Sequence, residues 1–307
     1  MASRDGGPSL GAMFGAGRAE TFMGLPRWDG GPAPAVLLGA DGCTPYPSVG
    51  FYCAGGPAAI RAAASAFALA HHNWNFDLGR PAFGARLPAD GGDIPVDPSR
   101  PEENRRAIRD RVAAVIAQGA VPVLVGGDDS LPIPMLQALD GPLCVLQIDA
   151  HIDWRRDVEG ERWGLSSTMR RASEMGQVER IVQVGARGIG SARPADVEDA
   201  RRWGARLVPA TDPDPVESAL AQIPPGARIA VCLDWDGLDP SIMPAVIGRS
   251  AGGLSYADLL DLLTGAAGRG RIVAFAATEF MPSRDIDGQG ATLAAQALIA
   301  VLGLLCA

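Results

Sequence analysis

The chain has 307 residues, 47% of them hydrophobic, which suits one large α/β domain or two small ones. Its formal net charge is −8, and every basic residue is an arginine with no basic block. That balance argues against nucleic acid and anionic membranes as partners, and mildly favours a cationic ligand. No run of about 18 apolar residues suggests a membrane span, and the N-terminus has no apolar signal core. The five cysteines are scattered and odd in number. Cys144 and Cys232 lie inside apolar strand patterns, so a reducing cytoplasm is the expected setting.

Residues 1–34, rich in Gly and Pro, read as an N-terminal arm, and residues 35–307 as a single domain. Ala35–Gly39 reads as the first strand and Gly56–Leu69 as a helix with Pro57 in its first turn. Residues 70–100 look irregular, with a short strand near Ile94–Val96. Pro101–Gln118 reads as a helix with Glu102 and Glu103 at its positive end. Val121–Val125 and Pro142–Ile148 are apolar strands, followed by a polar loop, Trp154–Leu165, and a helix near Thr168–Met175. Ile181–Val184, Arg206–Pro209, Arg228–Leu233 and Ile272–Ala276 read as further strands. Helices near Ala195–Trp203, Pro215–Gln222, Ser255–Ala267 and Ala291–Leu305 alternate with them. This alternation predicts a three-layer α/β/α fold around a mainly parallel sheet of about eight strands.

Three of these strands end in acidic runs. Val121–Val125 leads into Gly126-Gly127-Asp128-Asp129-Ser130. Pro142–Ile148 leads into Asp149-Ala150-His151-Ile152-Asp153. The strand from Arg228 leads into Asp234-Trp235-Asp236, where a spacing of two would put both carboxylates on one strand face. Ligands of open α/β sheets gather at the carboxyl ends of parallel strands. That rule brings Asp129, Asp149, His151, Asp153, Asp234 and Asp236 to one rim. Carboxylates so close repel unless a proton or a metal separates them, and oxygen donors suit hard divalent cations. Each run taken alone could be an Asp-rich turn or a helix cap, as Asp129 could be for a helix starting near Leu131. Gly126-Gly127 lacks the Lys-Ser/Thr ending and spacing of a phosphate loop.

With GGDDS (126–130), DAHID (149–153), CLDWDGLDP (232–240) and ATEFMPSRD (277–285) in this order, the chain resembles the ureohydrolase family, its agmatinase-like branch in particular. Weaker likeness runs upstream through TFMGLP (21–26), GGPAAIR (55–61) and GDIPV (92–96). The resemblance implies an arginase-like fold and two divalent metal ions per subunit, manganese foremost, with nickel or cobalt as alternatives. One ion would use Asp129, Asp149, Asp153 and Asp234. The other would use Asp149, His151, Asp234 and Asp236. Asp149 and Asp234 would bridge, and catalysis would rest on Asp149, His151 and Asp234. Glu279 matches the family's guanidinium-binding carboxylate. The implied reaction cleaves a guanidine compound (agmatine-, guanidinobutyrate- or alkylguanidine-like) to urea and an amine. The implied assembly is a homo-oligomer, a trimer or hexamer, with a paralogous subunit as a further partner.

Two positions depart from the family pattern. Asp129 stands where a His is usual, so five carboxylates face two divalent ions and leave a net charge of roughly −1. Leu165 aligns with a His thought to shuttle protons. Trp154, Arg155 and Trp163 in the following loop are candidates to touch the rest of the substrate. Arg155 and its neighbour Arg156 suit a carboxylate, and the tryptophans an apolar or alkylated body. The missing histidines keep open an alternative, a non-catalytic or supporting subunit of a heteromeric ureohydrolase. A zinc deacetylase on a related fold would need a His pair close ahead of the metal run and a late Tyr. His71-His72 and Tyr46, Tyr52 and Tyr256 fit those places poorly.

Overall fold

The apolar runs form strands because their β-branched residues pack both faces of a sheet that is covered on both sides. The computed structural model describes residues 19–190 and 192–306. Its strands are β1 (Ala35–Gly39), β2 (Trp74–Asn75), β3 (Arg80–Pro81), β4 (Ala89–Asp93), β5 (Val121–Val125), β6 (Leu143–Ile148), β7 (Val178–Ala186), β8 (Arg206–Pro209), β9 (Arg228–Asp234) and β10 (Arg271–Thr278). Eight of them make one sheet in the order β4-β1-β5-β10-β9-β6-β7-β8, and β2 and β3 form a small hairpin. Every pairing in the large sheet is parallel.

Successive residues along each strand point to opposite faces, and two cores result. Leu37, Val123, Leu146, Val231 and Phe275 face one. Val36, Leu124, Val145, Ala230 and Ala274 face the other. The helices are α1 (Gly56–Ala64), α2 (Pro101–Ala117), α3 (Pro132–Gln137), α4 (Thr168–Ser173), α5 (Pro194–Trp203), α6 (Pro215–Leu220), α7 (Tyr256–Arg269) and α8 (Gln289–Leu305). α1, α6, α7 and α8 supply buried residues to the first core. α2, α3, α4 and α5 supply the second. The expected three-layer α/β/α fold with a parallel eight-stranded sheet is therefore present.

Some local expectations shift. The strand read near Ile94–Val96 is instead β4, Ala89–Asp93, at the sheet edge. Its Gly91-Gly92 pair hides the strand pattern, and its position is set by tertiary bonds. The Asp90 amide donates to Pro26 O at 2.9 Å, and its carboxylate receives the Phe22 amide and Arg61. The helix expected to Leu69 leaves α geometry after Ala64 for a short 3-10 turn. Residues 1–18 of the expected arm lie outside the described residues. In residues 19–34, Phe22, Met23 and Leu25 are buried in the first core beside Ile60 and Phe83.

Register places the site. Val125, Ala277, Leu233 and Ile148 form one row across β5, β10, β9 and β6. Within four residues beyond that row lie Asp129, Glu279, Asp234, Asp236, Asp149 and His151, with Asp153 one residue further along its loop. Four adjacent central strands thus open onto one rim, the place where parallel sheets bind ligands.

Candidate metal centre

After β5 the chain must turn sharply against the neighbouring loops. Gly126 and Gly127 do so with φ of 93° and 71°, in the left-handed region. A Cβ on Gly127 would lie 2.9 Å from the Gly42 Cα, and one on Gly126 2.5 Å from Pro57. The turn splits the roles of two neighbouring aspartates. Asp128 is a brace: its carboxylate accepts the amides of Cys43 (3.0 Å) and Ser130 (3.1 Å) and the Ser130 hydroxyl. Asp129 does not cap α3, whose N-terminus has no side-chain cap. Its Oδ1 accepts from Thr278 Oγ1 at 2.7 Å, and the Thr168 hydroxyl donates to its carbonyl. Its Oδ2 is buried with no hydrogen-bond partner.

Beyond β6, Asp149, His151 and Asp153 leave the strand in a loop where Asp153 has φ of 48°. β9 ends at Asp234, and Trp235–Gly237 is a 3-10 turn. Asp236 therefore reaches the site from the turn and not from the strand face expected for it. The turn is held by the Asp236 amide, which donates to Asp234 Oδ1 at 2.7 Å. Asp236 Oδ1 in turn accepts the Ala150 amide at 3.0 Å. His151 Nδ1 lies 3.0 Å from Asp236 Oδ2 and 3.3 Å from Asp149 Oδ1.

Ligand atoms of Asp149, His151, Asp234 and Asp236 lie within 4.8 Å of one another, and so do those of Asp129, Asp149 and Asp153. Asp149 belongs to both groups. Burial first, then mutual repulsion, holds the carboxyls of Asp129, Asp149 and Asp234 well above the usual carboxylate range. Burial also raises Asp153. Asp236 goes the other way: burial pushes it up, but the His151 hydrogen bond and charge outweigh that and lower it. His151 is pushed up to about 9, because the Asp236 hydrogen bond and charge overcome its burial. Without a cation these carboxyls resist losing their protons, and a divalent ion bound among them would favour that loss. The buried, unpartnered oxygen of Asp129, in a residue grouped with Asp149 and Asp153, fits such an ion as a donor.

Several supporting residues were not anticipated from sequence. Gln147 Nε2 donates to Asp149 Oδ2 at 2.7 Å and to Asp153 Oδ2 at 2.6 Å. Gln183 Nε2 donates to Gln147 Oε1 and to the Ile152 carbonyl. The signal was a Gln inside each of two apolar strands, where an amide needs a partner. Arg187 donates to the carbonyls of Gly185, Asp236, Gly237, Leu238 and Ser250 and so pins the loop that follows β9.

A cavity of about 230 Å³ opens over the cluster, lined by Asp129, His151, Asp153, Asp234, Asp236 and Glu279 at its floor. Glu279 follows β10 at φ of 70° and is 3% exposed. Burial, with the charge of Asp128, raises its carboxyl to about 8 against the Tyr52 and Asp129 hydrogen bonds that lower it. Trp154 lines the wall but is 2% exposed, its indole N–H donating to Gln183 Oε1 at 2.7 Å and its ring 6.2 Å from that of Trp203. Arg155 also lines the wall. Its Nη1 forms an ion pair with Asp196 Oδ2 at 3.0 Å, without the alignment of a hydrogen bond, and Asp196 lines the same wall. Trp163 does not line the cavity. It sits between the guanidinium groups of Arg105 (5.4 Å) and Arg171 (5.9 Å), where its face is already used. His71 is bound to the Met23 carbonyl, away from the site.

A family model described as the arginase family matches residues 51–303. The chain is 31% identical over 242 residues to mitochondrial agmatinase of Gallus gallus, covering 76% of this chain and 71% of that protein. It is 29% identical over 238 residues to mitochondrial guanidino acid hydrolase of Homo sapiens, covering 74% of this chain and 67% of that one. Among solved structures, proclavaminate amidino hydrolase from Streptomyces clavuligerus aligns with a TM-score of 0.83 at 25% identity, over 95% of this chain and 98% of that one. Fold, rim and match across 253 residues (51 to 303 inclusive) agree: the chain belongs to the arginase family and is a hydrolase of the C–N bonds of linear amidines.

Proposed function

We propose that the chain is a dinuclear metal hydrolase that cleaves a guanidino acid to urea and an amine. The observation that carries this reading is the pair of ligand groups that share Asp149, whose other members line the cavity together with Glu279. Asp129, Asp149, Asp153 and Asp234 would hold one ion, and Asp149, His151, Asp234 and Asp236 the other. Five carboxylates and one imidazole suit manganese better than softer metals. Two such ions would supply a water acidic enough to act as nucleophile near neutral pH.

The protein's own groups do the rest. Glu279 attracts the guanidinium and sets its plane, because a charged carboxylate–guanidinium contact is both strong and directional. The Gln147–Gln183–Trp154 chain keeps Asp149 and Asp153 in place. Arg155, on the cavity wall and ion-paired with Asp196 without a well-aligned hydrogen bond, would take the carboxylate at the far end of the substrate by sharing or leaving that partner. That preference separates a guanidino acid from agmatine, whose far end is cationic. The buried, unpartnered Asp129 Oδ2 supports an active chain over a supporting subunit. Free cysteines at all five positions suit a reducing cytoplasm. Exposed Leu69, Trp74 and Phe76 suit a contact between subunits of a homo-oligomer.

The test is a panel of 4-guanidinobutyrate, agmatine, arginine and methylguanidine with manganese added, read as released urea, beside metal analysis. The expected result is about two ions per chain and fastest turnover of 4-guanidinobutyrate. Asp234→Asn should lose at least about 10³-fold in kcat and keep its fold. A metal-free wild type, or an Asp234→Asn variant as active as wild type, would sink the reading. Faster turnover of agmatine, unchanged in Arg155→Ala, would sink the role given to Arg155.

A further inference from the structure

Glu279 Oε1 is already occupied. Tyr52 Oη donates to it at 2.5 Å, and the Asp129 amide donates to the same oxygen at 2.9 Å. Oε2 has no hydrogen bond among the described residues, and Glu279 lines the cavity while Tyr52 does not. Tyr52 comes from the loop between β1 and α1, 227 residues earlier in the chain. The same loop is tied to the turn after β5 by the Cys43 amide on Asp128 and the Thr44 amide on Ser130 Oγ, at 2.8 Å. The phenol is therefore carried by a segment fixed to the metal-side turn.

We propose that Tyr52 is a positioning residue: with the Asp129 amide it claims Glu279 Oε1, fixes the carboxylate plane, and leaves Oε2 as the lone acceptor for the guanidinium. The inference rests on the reading of Glu279 as the guanidinium-binding group. An unrestrained glutamate turns about its last torsion and can fork a guanidinium with both oxygens. Here that rotation would break two hydrogen bonds, so the guanidinium meets one oxygen in one direction. The Asp129 amide makes the restraint local to the metal side, since the same residue presents its side chain to the ligand cluster. Orientation of this kind acts on turnover more than on capture, because it narrows the poses from which the reaction proceeds.

The experiment is a double-mutant cycle with Tyr52→Phe and Glu279→Gln, on whichever guanidine of the panel the wild type hydrolyses fastest. Urea release, metal content, unfolding midpoint and calorimetric binding of that guanidine are read for all four proteins. Tyr52→Phe is expected to lower kcat about 10- to 30-fold, with KM and the calorimetric affinity changed less than about threefold. Metal content should stay at the wild-type level. In the Glu279→Gln background the same change should have little further effect, because the group it orients is gone. A Tyr52→Phe enzyme with wild-type kcat overturns the inference. So does a kcat loss that persists undiminished beside Glu279→Gln, or one that appears only together with a lowered midpoint and lost metal. A Glu279→Gln enzyme as active as wild type overturns the parent reading of Glu279 instead. A wild type inert toward every guanidine overturns both.

Discussion

At the scale of single residues, Asp128 and Asp129 are the sharpest contrast. They are adjacent and chemically identical, yet one carboxylate is filled by local donors and the other has a buried oxygen with none. Asp128→Asn should lose the brace between the turn after β5 and the loop after β1. A cost of about 1–3 kcal/mol in denaturant unfolding is expected, since buried amides lose a charged acceptor. Asp129→Asn should cost the chelated protein little stability, lower the metal content by about one ion and lower kcat by about 10²-fold or more. Metal analysis and urea release on the two variants check this; equal behaviour would show that the roles are not divided. The acidic runs could be read from the sequence as a ligand set. Which of two neighbouring aspartates supports and which points inward could not. That depends on two left-handed glycines and on a loop 85 residues away. Tyr52 was hidden for the same reason, its partner lying 227 positions along the chain.

At the scale of elements, strand and helix alternation was readable because the buried strands are continuous apolar runs and several helices begin with proline. β4 was misplaced because two glycines interrupt it and a tertiary network, not propensity, sets its register. The spacing of Asp234 and Asp236 predicts a shared strand face, because spacing alone does not distinguish a strand's last residues from the turn that follows. The turn's anchor was equally silent. Arg187 is 7% exposed and forms no ion pair with a carboxylate among the described residues, yet it donates to carbonyls along residues 236–250. Replacing it leaves several buried carbonyls unsatisfied at once. Arg187→Met is therefore expected to cost about 3 kcal/mol and to loosen the turn that presents Asp236. Urea-unfolding midpoints and metal content measured together check it. A variant with the wild-type midpoint would show that the loop holds itself.

At the scale of the molecule, the fold concentrates negative charge at the centre of its sheet and so makes its stability depend on cations and pH. Without metal, burial and mutual repulsion raise the folded-state pKa of Asp129, Asp149, Asp153 and Asp234. A carboxyl raised in this way contributes stability below its unfolded value of about 3.9, and that stability is lost as pH rises through the folded value. His151, lifted to about 9 by Asp236 against its burial, works in the same direction, since its contribution is complete below its unfolded pKa and lost as pH rises through about 9. Glu279, raised to about 8 chiefly by burial, adds to it. Asp239 opposes the trend only in strong acid. Its carboxylate is held at about 2 by the Ser241 hydrogen bonds and the amides of Gly252 and Gly253, so its contribution is present above its unfolded pKa and lost as pH falls toward about 2. The chelated protein should therefore melt lower at about pH 8 than at about pH 5.5. Manganese should reverse that order, because deprotonated ligands bind tightly and a ligand at about 100 times its Kd adds about 2.7 kcal/mol. Scanning calorimetry of chelated and manganese-saturated protein at the two pH values decides it. Chelated samples that melt alike at both, with no gain from manganese at the higher pH, would mean that the carboxylates shed their protons without cost and that the rim is not built around cations.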